Sequence, residues 1–407
     1  MNHHQYKTPF NIVTLAAGLG FFIDTFDLFL FNVYRVQSLR DLGFSGVELT
    51  RKGEYLLSVQ MLGMMIGGIL SGVIADKKGR VSVLFGSILL YSSASIVNGY
   101  VTDINSYALI RFLAGVGLAG ELGAGVTLVG ESMTIEKRGL GTIMVATLGG
   151  LGAVTAGLIG DLLPWRTAFI VAGMMGLALL LLRIRGMESN IFRATQNSQR
   201  PLGSLLHLFR KRERALRYFA CIVMGIPIWY SVGLLITLSP ELAAENGIDY
   251  LKAGLCFILF QCGVTAGDLL SGILSQLMKS RKKALFGFMM LAIIATAVHF
   301  YQLYHASPIY LTSLFIGLGC GYLSVFVTTT SEQFGTNLRV TVTATVTNFM
   351  RGAVTLLIPL RIFLQDAFTT NITTSLIVVG LLVWIPAITA VILLPETYGR
   401  DLKFLEE

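Results

Sequence analysis

Three acidic residues stand inside long apolar stretches, where a charge has few ways to be stabilised. Asp24 and Asp27 are three residues apart, so in a helix they share one face, and Glu121 lies near the middle of another apolar stretch. An ionised side chain at bilayer depth costs at least about 2.5–3.5 kcal/mol, and such residues usually serve a function. We therefore expect Asp24, Asp27 and Glu121 to bind and release a proton. The alternative is that they form structural hydrogen bonds or face a wet vestibule.

Arg351 is the one basic residue that the apolar pattern places deep in the membrane, about 18 Å along a helix from Arg339. A planar guanidinium suits the recognition of a carboxylate or a phosphate, so Arg351 is predicted to bind an anionic substrate. The competing interpretation is an internal salt bridge to Asp268 or another acid. The other predicted substrate-binding residues are Gln60, Trp229, Tyr230, Gln261, Asp268, Tyr322 and Asn348. A helix–helix hydrogen bond is the alternative for the polar members of this set.

The elements that carry these residues are membrane-spanning helices. Hydrophobic residues make up 54% of the chain, charged residues 13%, and the mean hydropathy is +0.71. A spanning helix needs about 20 mainly apolar residues. Twelve segments meet that requirement, near 12–34, 53–75, 81–101, 106–132, 139–160, 167–186, 217–239, 251–278, 283–303, 307–331, 340–364 and 372–394. The predicted fold class is an all-α membrane protein with twelve transmembrane helices in two pseudo-symmetric six-helix bundles.

The net charge of +8 is explained by membrane topology rather than by binding to nucleic acid. With both termini in the cytoplasm, the basic residues of 77–80, 183–217 and 279–283 fall in cytoplasmic loops, as the positive-inside rule requires. The loop between the first two segments runs against the rule. It contains Arg35, Arg40, Arg51 and Lys52, partly balanced by Asp41, Glu48 and Glu54.

An internal repeat divides the chain into halves. The matching positions lie 200 to 201 residues apart: Ser71 with Ser271, Phe85 with Phe286, Glu131 with Glu332, and Arg138 with Arg339. We predict an N-terminal bundle at 1–186, a cytoplasmic linker at 187–216, and a C-terminal bundle with a short cytoplasmic tail at 217–407. Two such bundles place a cavity between them that rocking motions expose to alternate sides.

Charged residues at the cytoplasmic helix ends predict a breakable gate. Asp76 and Arg80 flank the loop between helices 2 and 3, and Glu131 and Arg138 flank the loop between helices 4 and 5. By the repeat, Glu332 and Arg339 form a second pair in the C-terminal half. Partly exposed pairs contribute about 0–1 kcal/mol each, enough to bias a two-state gate. The alternative is interfacial charge that only fixes the helix ends.

Four short motifs are spread along the chain. Residues 72–80, Gly-Val-Ile-Ala-Asp-Lys-Lys-Gly-Arg, are similar to G-x-L-A-D-R-x-G-R, the signature between helices 2 and 3 of the major facilitator superfamily. Residues 111–117 on helix 4, 165–169 at helix 6 and the Pro-Glu-Thr-Tyr-Gly of 395–399 are supporting matches. The last of these is similar to the terminus of the sugar-porter and metabolite:proton symporter branches. The resemblance implies a twelve-helix secondary transporter with alternating access.

Helix 1 narrows this resemblance. Residues 20–29, Gly-Phe-Phe-Ile-Asp-Thr-Phe-Asp-Leu-Phe, resemble the phosphate:proton symporter branch, in which the acids of helices 1 and 4 handle protons and substrate. The resemblance implies the same roles for Asp24, Asp27 and Glu121. The helix 4 motif of that branch is G-G-D-Y-P, whereas residues 119–123 read Ala-Gly-Glu-Leu-Gly, so its tyrosine and proline are missing.

The sequence therefore predicts a monomeric, proton-coupled symporter that imports a small anionic metabolite, such as an organic acid, phosphate or a sugar acid. Its partners are the substrate, protons and the lipid bilayer of a bacterial inner membrane. No cofactor, metal or enzymatic activity is predicted, since no zinc-ligand set, nucleophile elbow or catalytic triad pattern occurs. Two alternatives stay open: proton-driven efflux of a drug or siderophore-like compound, and a substrate sensor that binds without translocating.

Overall fold

The structure is a computed structural model, and it describes residues 11–78, 80–121, 125, 129, 138–160, 162–187, 208–248, 251–305, 307 and 309–399. Almost all of these residues are helical. In the N-terminal half the helices are α1 (Ile12–Asp41), α2 (Gly46–Lys78), α3 (Arg80–Asn98), α4 (Ile104–Leu118), α5 (Arg138–Ile159) and α6 (Trp165–Met187). In the C-terminal half they are α7 (Arg212–Tyr230), the π-helix π1 (Ser231–Ile236), α8 (Ser239–Glu245), α9 (Ala253–Leu277), α10 (Arg281–Tyr304), α11 (Tyr310–Cys320), α12 (Leu323–Glu332), α13 (Thr336–Gly352), α14 (Val354–Ala367) and α15 (Ile372–Leu393).

These helices account for the predicted twelve crossings. Among the described residues, nine helical segments are long and apolar enough to span a membrane. Three shorter apolar helices, at Ser82–Asn98, Ile104–Leu118 and Met144–Ile159, supply the other positions in chain order. Crossings 7, 10 and 11 each contain a break and are built from α7 with π1, α11 with α12, and α13 with α14. The predicted fold class is confirmed.

Helix packing follows the two halves of the chain. In the N-terminal half α1 packs on α5, α2 on α4, and α3 on α4 and α6, whereas α9 and α10 pack on α11, and α7 on α13 and α15, in the C-terminal half. The halves meet where α2 contacts α13 and α5 contacts α9. We call the end where α1 passes into α2 the α1–α2 end. The opposite end, where α6 finishes and α7 begins, is the linker end.

Two helix ends extend beyond the apolar segments that predicted the helices. The turn between α1 and α2 is only 42–45, so Arg35 and Arg51 belong to helices and not to a loop. At the linker end α7 begins at Arg212, inside the segment predicted as linker. Hydropathy detects only the part of a helix that crosses hydrocarbon. Backbone hydrogen bonding continues beyond it into charged turns.

Two of the helix breaks in the C-terminal half are explained by nearby residues. Pro227 lies inside α7, where its missing N–H weakens the hydrogen-bond ladder, and π1 follows directly. Between α11 and α12 the chain is not helical at Gly321 and Tyr322, and the backbone N–H of Ser324 donates to Asp268 Oδ1 at 2.6 Å. A carboxylate at a helix N-terminus satisfies a free donor and is favoured by the helix dipole. Asp268 on α9 therefore caps the second half of the broken helix.

A glycine brings α2 and α4 into unusually close contact. A Cβ added at Gly115 would lie 2.1 Å from the carbonyl oxygen of Gln60, so any other residue would push the two helices apart. This approach sets Gln60 beside Arg111, which lies one turn before Gly115 on α4.

Candidate functional site

The first acid of interest, Asp27, lies next to an arginine. Asp27 on α1 is fully buried, accepts a hydrogen bond from the Ser95 hydroxyl on α3, and interacts electrostatically with Arg111 on α4. Its second carboxylate oxygen has no hydrogen-bond partner. All three side chains belong to the N-terminal half. Asp27 is about 21 Å from the end of α1 at Asp41, which places it near mid-depth.

Arg111 corrects the prediction that Arg351 is the one basic residue deep in the membrane. It is 0% exposed, with its guanidinium 5.3 Å from the ring centres of Phe31 and Phe169. Nε donates to Gln60 Oε1 at 3.3 Å, while Nη1 and Nη2 have no hydrogen-bond partner. The two aromatic faces shield a cation only about 10 Å from the start of α4. Sequence reasoning used this arginine as part of a motif and assigned it no role.

The second acid, Asp24, faces the other bundle. It is fully buried, neither carboxylate oxygen has a hydrogen-bond partner, and its largest charge interaction is with Arg351 on α13. Glu121 and Asp27 also act on it electrostatically. Arg351 is 3% exposed and its Nε has no hydrogen-bond partner. We call Asp24, Asp27, Arg111, Glu121 and Arg351 the central charge cluster.

Aromatic rings border the Arg351 side of this cluster. The guanidinium lies 5.4 Å from the ring centre of Trp229 on α7, whose indole Nε1 has no hydrogen-bond partner. Phe29 on α1 stacks against Trp229 with 6.2 Å between the ring centres, and Phe257 on α9 is 5.3 Å from Phe29. Rings from both bundles therefore meet at Trp229, the ring that lies against the arginine. An arginine over an aromatic face presents its N–H groups in a fixed plane.

Glu121 and Asn348 lie at the contact between the bundles. Glu121 is buried just beyond the end of α4, two residues after its C-cap Ala119. Asn348 on α13 donates from Nδ2 to the Ala119 carbonyl at 3.2 Å. A Cβ at Gly68 of α2 would lie 2.7 Å from that Nδ2, so only glycine leaves room for the amide. Asn348 thus links the C-terminal half to the backbone that carries Glu121.

The other predicted substrate-binding residues are spread through the C-terminal half. The Tyr230 hydroxyl donates to the Leu376 carbonyl at 2.8 Å, and the Tyr322 hydroxyl donates to the Met224 carbonyl at 3.2 Å. Asp268 caps α12, as described above, and so is not the counter-ion of Arg351. Gln261 on α9 is 4% exposed. The hydroxyls of Tyr230 and Tyr322 and the carboxylate of Asp268 thus form helix–helix hydrogen bonds. This agrees with the alternative interpretation of these residues rather than with substrate binding.

A group of four charges, three of them buried and Glu241 partly buried, joins the bundles at the α1–α2 end. Arg361 on α14 binds Glu54 on α2 through two N–H groups, with Nε to Oε1 at 2.6 Å. Arg35 on α1 binds Glu241 on α8 at 2.7 Å and the Thr237 carbonyl at 2.9 Å. Glu54 also interacts electrostatically with Arg35 and Glu241. We call Arg35, Glu54, Glu241 and Arg361 the end quartet.

The end quartet contrasts with an exposed ion pair at the same end. Arg361 and Glu54 are 2% and 3% exposed, whereas Arg51 and Asp366, paired at 2.6 Å, are 50% and 52% exposed. A Cβ at Gly53 would lie 2.7 Å from Arg35 Nη1, so this glycine makes room for the arginine. The sequence contained one indication of the quartet. Arg35 and Glu54 both belong to the predicted loop between the first two apolar segments, whose charges did not follow the positive-inside rule.

At the linker end the structure describes one of the six predicted gate side chains. Glu332 accepts from Arg281 Nη2 at 3.3 Å and from the Thr397 hydroxyl at 2.7 Å. Arg281 lies 201 residues after Arg80, so this pair occupies the repeat positions of Arg80 and Glu131. Glu131 and the side chains of Asp76, Arg80, Arg138 and Arg339 lie outside the described residues.

Glu396, in the Pro-Glu-Thr-Tyr-Gly segment after α15, ties the end of the C-terminal half to α10. It accepts from the Ser280 hydroxyl and from the backbone N–H groups of Arg281, Lys282, Thr397 and Tyr398. Partial burial raises the pKa of Glu396, but these hydrogen bonds to the ionised form outweigh it and lower the pKa from 4.5 to about 2.

This lowered pKa predicts a pH-dependent effect of Glu396→Gln. A carboxylate whose pKa falls on folding adds stability above its unfolded pKa, here about 4.5, and loses it as the pH falls toward about 2. The variant should melt below the wild type at pH 7, and the gap should narrow by pH 3. Thermal unfolding followed by tryptophan fluorescence in detergent measures both. Glu213→Gln, at a side chain 88% exposed, is the matched control. A gap of constant size from pH 7 to pH 3 would contradict the charge argument.

Comparison with known proteins places the chain among membrane transporters. The pattern of the Major Facilitator Superfamily matches residues 17–359. A predicted metabolite transport protein of Haemophilus influenzae is 27% identical over 407 residues, covering 95% of this chain and 97% of the relative. The 3-(3-hydroxy-phenyl)propionate transporter of Escherichia coli is 29% identical over 54% of this chain and 55% of its own length.

A solved structure extends the comparison to the fold. The crystal structure of a D-xylose-proton symporter superposes with a TM-score of 0.72 and 17% sequence identity, covering 96% of this chain and 99% of that protein. At this identity the likeness concerns the fold alone.

Proposed function

This chain belongs to the Major Facilitator Superfamily, and we propose that it is a proton-coupled symporter that imports a small anionic metabolite by alternating access. It is an integral, multi-pass membrane protein and a transporter rather than an enzyme. We place it as a monomer in a bacterial inner membrane with both termini in the cytoplasm, so that the linker end faces the cytoplasm and the α1–α2 end faces outward.

The central charge cluster is the observation that carries this proposal. It links three acids and two arginines electrostatically, from Arg111 and Asp27 inside the N-terminal bundle to Arg351 in the other bundle. Atoms of Asp24, Asp27, Arg111 and Arg351 have no hydrogen-bond partner. Buried polar atoms are almost always hydrogen-bonded, so several unsatisfied ones in one place indicate a ligand or solvent site. Intramembrane ionisable groups face cavities and mark substrate and proton pathways.

The acids and the arginines take different roles. Asp27 exchanges a proton under the influence of Arg111, within one bundle. Asp24 and Glu121 are the further proton-handling groups, at the contact between the bundles. Arg351, held over Trp229, provides the positive charge for the anion.

An aromatic monocarboxylate is the substrate class that we favour. The Trp229 ring lies against Arg351, and Phe29 and Phe257 extend the aromatic group from Trp229, so a flat apolar body and one carboxylate match these contacts. The relative from Escherichia coli is named for such a compound, 3-(3-hydroxy-phenyl)propionate. Phosphate has no apolar body for these rings.

Alternating access requires the two ends to open in turn, and the end quartet supplies the closure at one of them. Its ion pairs join α1 and α2 to α8 and α14, so they must separate whenever the bundles part at that end. We propose that this conformation is closed to the outside.

Substrate-dependent acidification of proteoliposomes tests the function. The panel contains aromatic and aliphatic monocarboxylates, dicarboxylates, phosphate, sugar acids, neutral sugars and amino acids. Acidification of the lumen by one class of anion is expected in the wild type and should fall at least about tenfold in Glu121→Gln, because the amide cannot carry a proton. Arg51→Gln at the exposed pair is the matched control and should transport normally.

Each result discriminates between function classes. Acidification by an anion supports symport and identifies the substrate class. Alkalinisation of the lumen when substrate is added outside supports proton–substrate antiport, and therefore proton-driven export, instead. Binding of a panel member without any flux would identify a sensor.

A further inference from the structure

Buried polar side chains on α1, α3 and α4 lie between Asp27 and the α1–α2 end. Ser95 on α3 donates to Asp27, and Asn98, the last residue of α3, follows one turn nearer that end on the same side of the helix. On α4 the Tyr107 hydroxyl donates to Ser38 Oγ at 3.2 Å, and Ser38 is close to the end of α1. Each of these five residues is 0% exposed. We call them the polar row.

Asn98 is the unsatisfied member of the polar row. Within the described structure neither its Nδ2 nor its Oδ1 has a hydrogen-bond partner, and the same holds for Asp27 Oδ2. The amide lies beside the Tyr107 hydroxyl without a well-formed hydrogen bond to it. A buried amide with both ends free is unfavourable unless water or a ligand fills them. A buried water makes about three hydrogen bonds, and the amide donor, the amide acceptor and the phenol offer that number.

The outer end of the polar row lies next to a surface carboxylate. Asp41, three residues after Ser38, has a side chain that is 53% exposed. Its Oδ2 accepts from Trp165 Nε1 at 3.2 Å, and the Trp165 ring stacks against Tyr107 with 6.1 Å between the ring centres. A half-exposed carboxylate exchanges protons with solvent, so Asp41 can supply them to the outer end of the row.

Resting on the proposed function, we propose that a water molecule bound at Asn98 completes a proton route between Asp27 and the outside. Each hydroxyl of the row accepts a proton from its outer neighbour and gives its own proton to its inner neighbour, and the ionised Asp27 carboxylate takes the last one. The Asn98 amide holds the water and transfers no proton itself. The route lies wholly within the N-terminal bundle, apart from Arg351 and Trp229. Displacing the water disconnects Asp27 from this end.

The charged groups beside the polar row are balanced. Each end has an acid next to an arginine: Asp27 interacts with Arg111, and Asp41 binds Arg166 at 3.4 Å. Both arginines also act electrostatically on Tyr107. Beyond its first residue, α3 carries no charged side chain. The two acids offset the positive potential of the arginines, so a proton is not excluded from the row.

Hydroxyl-radical footprinting by X-ray radiolysis detects the bound water. Radicals formed from a buried water modify the side chains that touch it, so Tyr107 should be labelled in the full-length protein in lipid nanodiscs although it is 0% exposed. Tyr34 on α1 is the matched control. It is 1% exposed, and its hydroxyl already donates to the carbonyls of Ile159 and Leu163, so it should stay unlabelled. Asn98→Leu removes the amide and fills the space, so labelling of Tyr107 should fall at least about tenfold.

The same variant should slow proton delivery without slowing exchange. In proteoliposomes, acidification by the anion that the panel identifies should start at least about tenfold more slowly in Asn98→Leu, while counterflow of that anion changes less than about twofold. Tyr107→Phe keeps the ring but loses the hydroxyl, so acidification should slow similarly while the ring at position 107 is still labelled. Ser92→Ala is the control, because Ser92 is a buried residue of α3 that lies against Gly176 of α6, and it should match the wild type.

The results distinguish this inference from the proposed function. Labelling of Tyr107 no stronger than that of Tyr34 in the wild type would overturn the water site. Acidification at the wild-type rate in both Asn98→Leu and Tyr107→Phe would overturn the route, and Asp27 would then exchange protons through the substrate site. Neither result removes symport. If no anion acidifies wild-type proteoliposomes, symport and the route fail together, whereas labelling of Tyr107 reports on the water in either case.

Discussion

Replacing Glu54 with glutamine should open the α1–α2 end, because it leaves the Arg361 guanidinium buried without a counter-charge. Both side chains are at most 3% exposed and are joined by two hydrogen bonds. Breaking a buried ion pair by removing one partner costs about 3–5 kcal/mol. Opening the end hydrates Arg361 and relieves that cost. Since about 1.4 kcal/mol changes an equilibrium tenfold, the ratio of open to closed molecules should rise about 100-fold or more.

Spin labels on the two bundles can measure this opening. Val47 on α2 and Phe368 after α14 are 69% and 65% exposed at this end, so cysteines introduced there will accept labels without disturbing the core. Electron–electron double resonance, in a background without the four native cysteines, should show a longer distance in Glu54→Gln than in the unmodified background. An unchanged distance distribution would refute the closure role of the pair.

Two controls isolate the buried charge as the cause. Arg51→Gln breaks the half-exposed pair with Asp366 at the same end, and should shift the equilibrium by no more than about 1 kcal/mol. The double variant Glu54→Leu with Arg361→Leu removes both charges. Replacing a whole buried pair by apolar residues is close to neutral, so the closed state should return.

The end quartet also shows what the sequence could not predict. Glu54 and Arg361 are 307 residues apart, and nothing in one apolar segment specifies its partner in another. Hydropathy predicted the spans because each is a local property of about 20 residues. It placed Arg35 in a loop because it does not detect helical turns outside the hydrocarbon. The four charges balance one another, so only their contact in the folded protein explains how they are tolerated.

In the central charge cluster, the acids were easier to predict from the sequence than the arginines. Asp24, Asp27 and Glu121 stand out because nothing near them in the sequence neutralises them. Arg111 was overlooked because its shielding comes from Phe31 and Phe169, on two other helices. The sequence did not predict the helix break after Cys320 either. The carboxylate that caps the next helix belongs to Asp268, which is 56 residues before the capped Ser324 and on another helix.

The internal repeat gives one inference that local patterns do not. Arg281 and Glu332 form an ion pair at positions that correspond to Arg80 and Glu131. Glu332 was predicted to pair with Arg339, whose side chain is not among those described. The repeat therefore identified Glu332 as a member of an ion pair, although its partner is Arg281 of α10.

Asp27→Asn should abolish proton-driven accumulation while substrate exchange continues. The amide keeps the shape of the acid and can still bond to Ser95, but it cannot release a proton beside Arg111. Without that proton the gradient is no longer coupled to net uptake, whereas exchange requires only that a loaded carrier move in both directions. We expect at least about a 100-fold loss of accumulation, because a positioned group that passes on a proton contributes about 100-fold or more and the amide cannot take over that step, with exchange reduced less than tenfold. Accumulation and counterflow of the same radiolabelled substrate in proteoliposomes measure the two rates.

Arg111→Lys shows whether the arginine acts through its charge alone. Lysine keeps the positive charge near Asp27 but loses the planar group that lies between Phe31 and Phe169 and donates to Gln60. If charge alone sets the proton affinity of Asp27, accumulation should survive with its pH optimum unchanged. We expect instead a shifted optimum, because a compact ammonium takes up another position relative to the carboxylate.

Gln60→Glu, which adds a second acid beside Arg111, should shift the optimum in the alkaline direction, since like charges hold a proton more tightly. If the wild type, Arg111→Lys and Gln60→Glu all share one pH optimum of accumulation, Arg111 takes no part in the coupling mechanism and Asp27 acts without it.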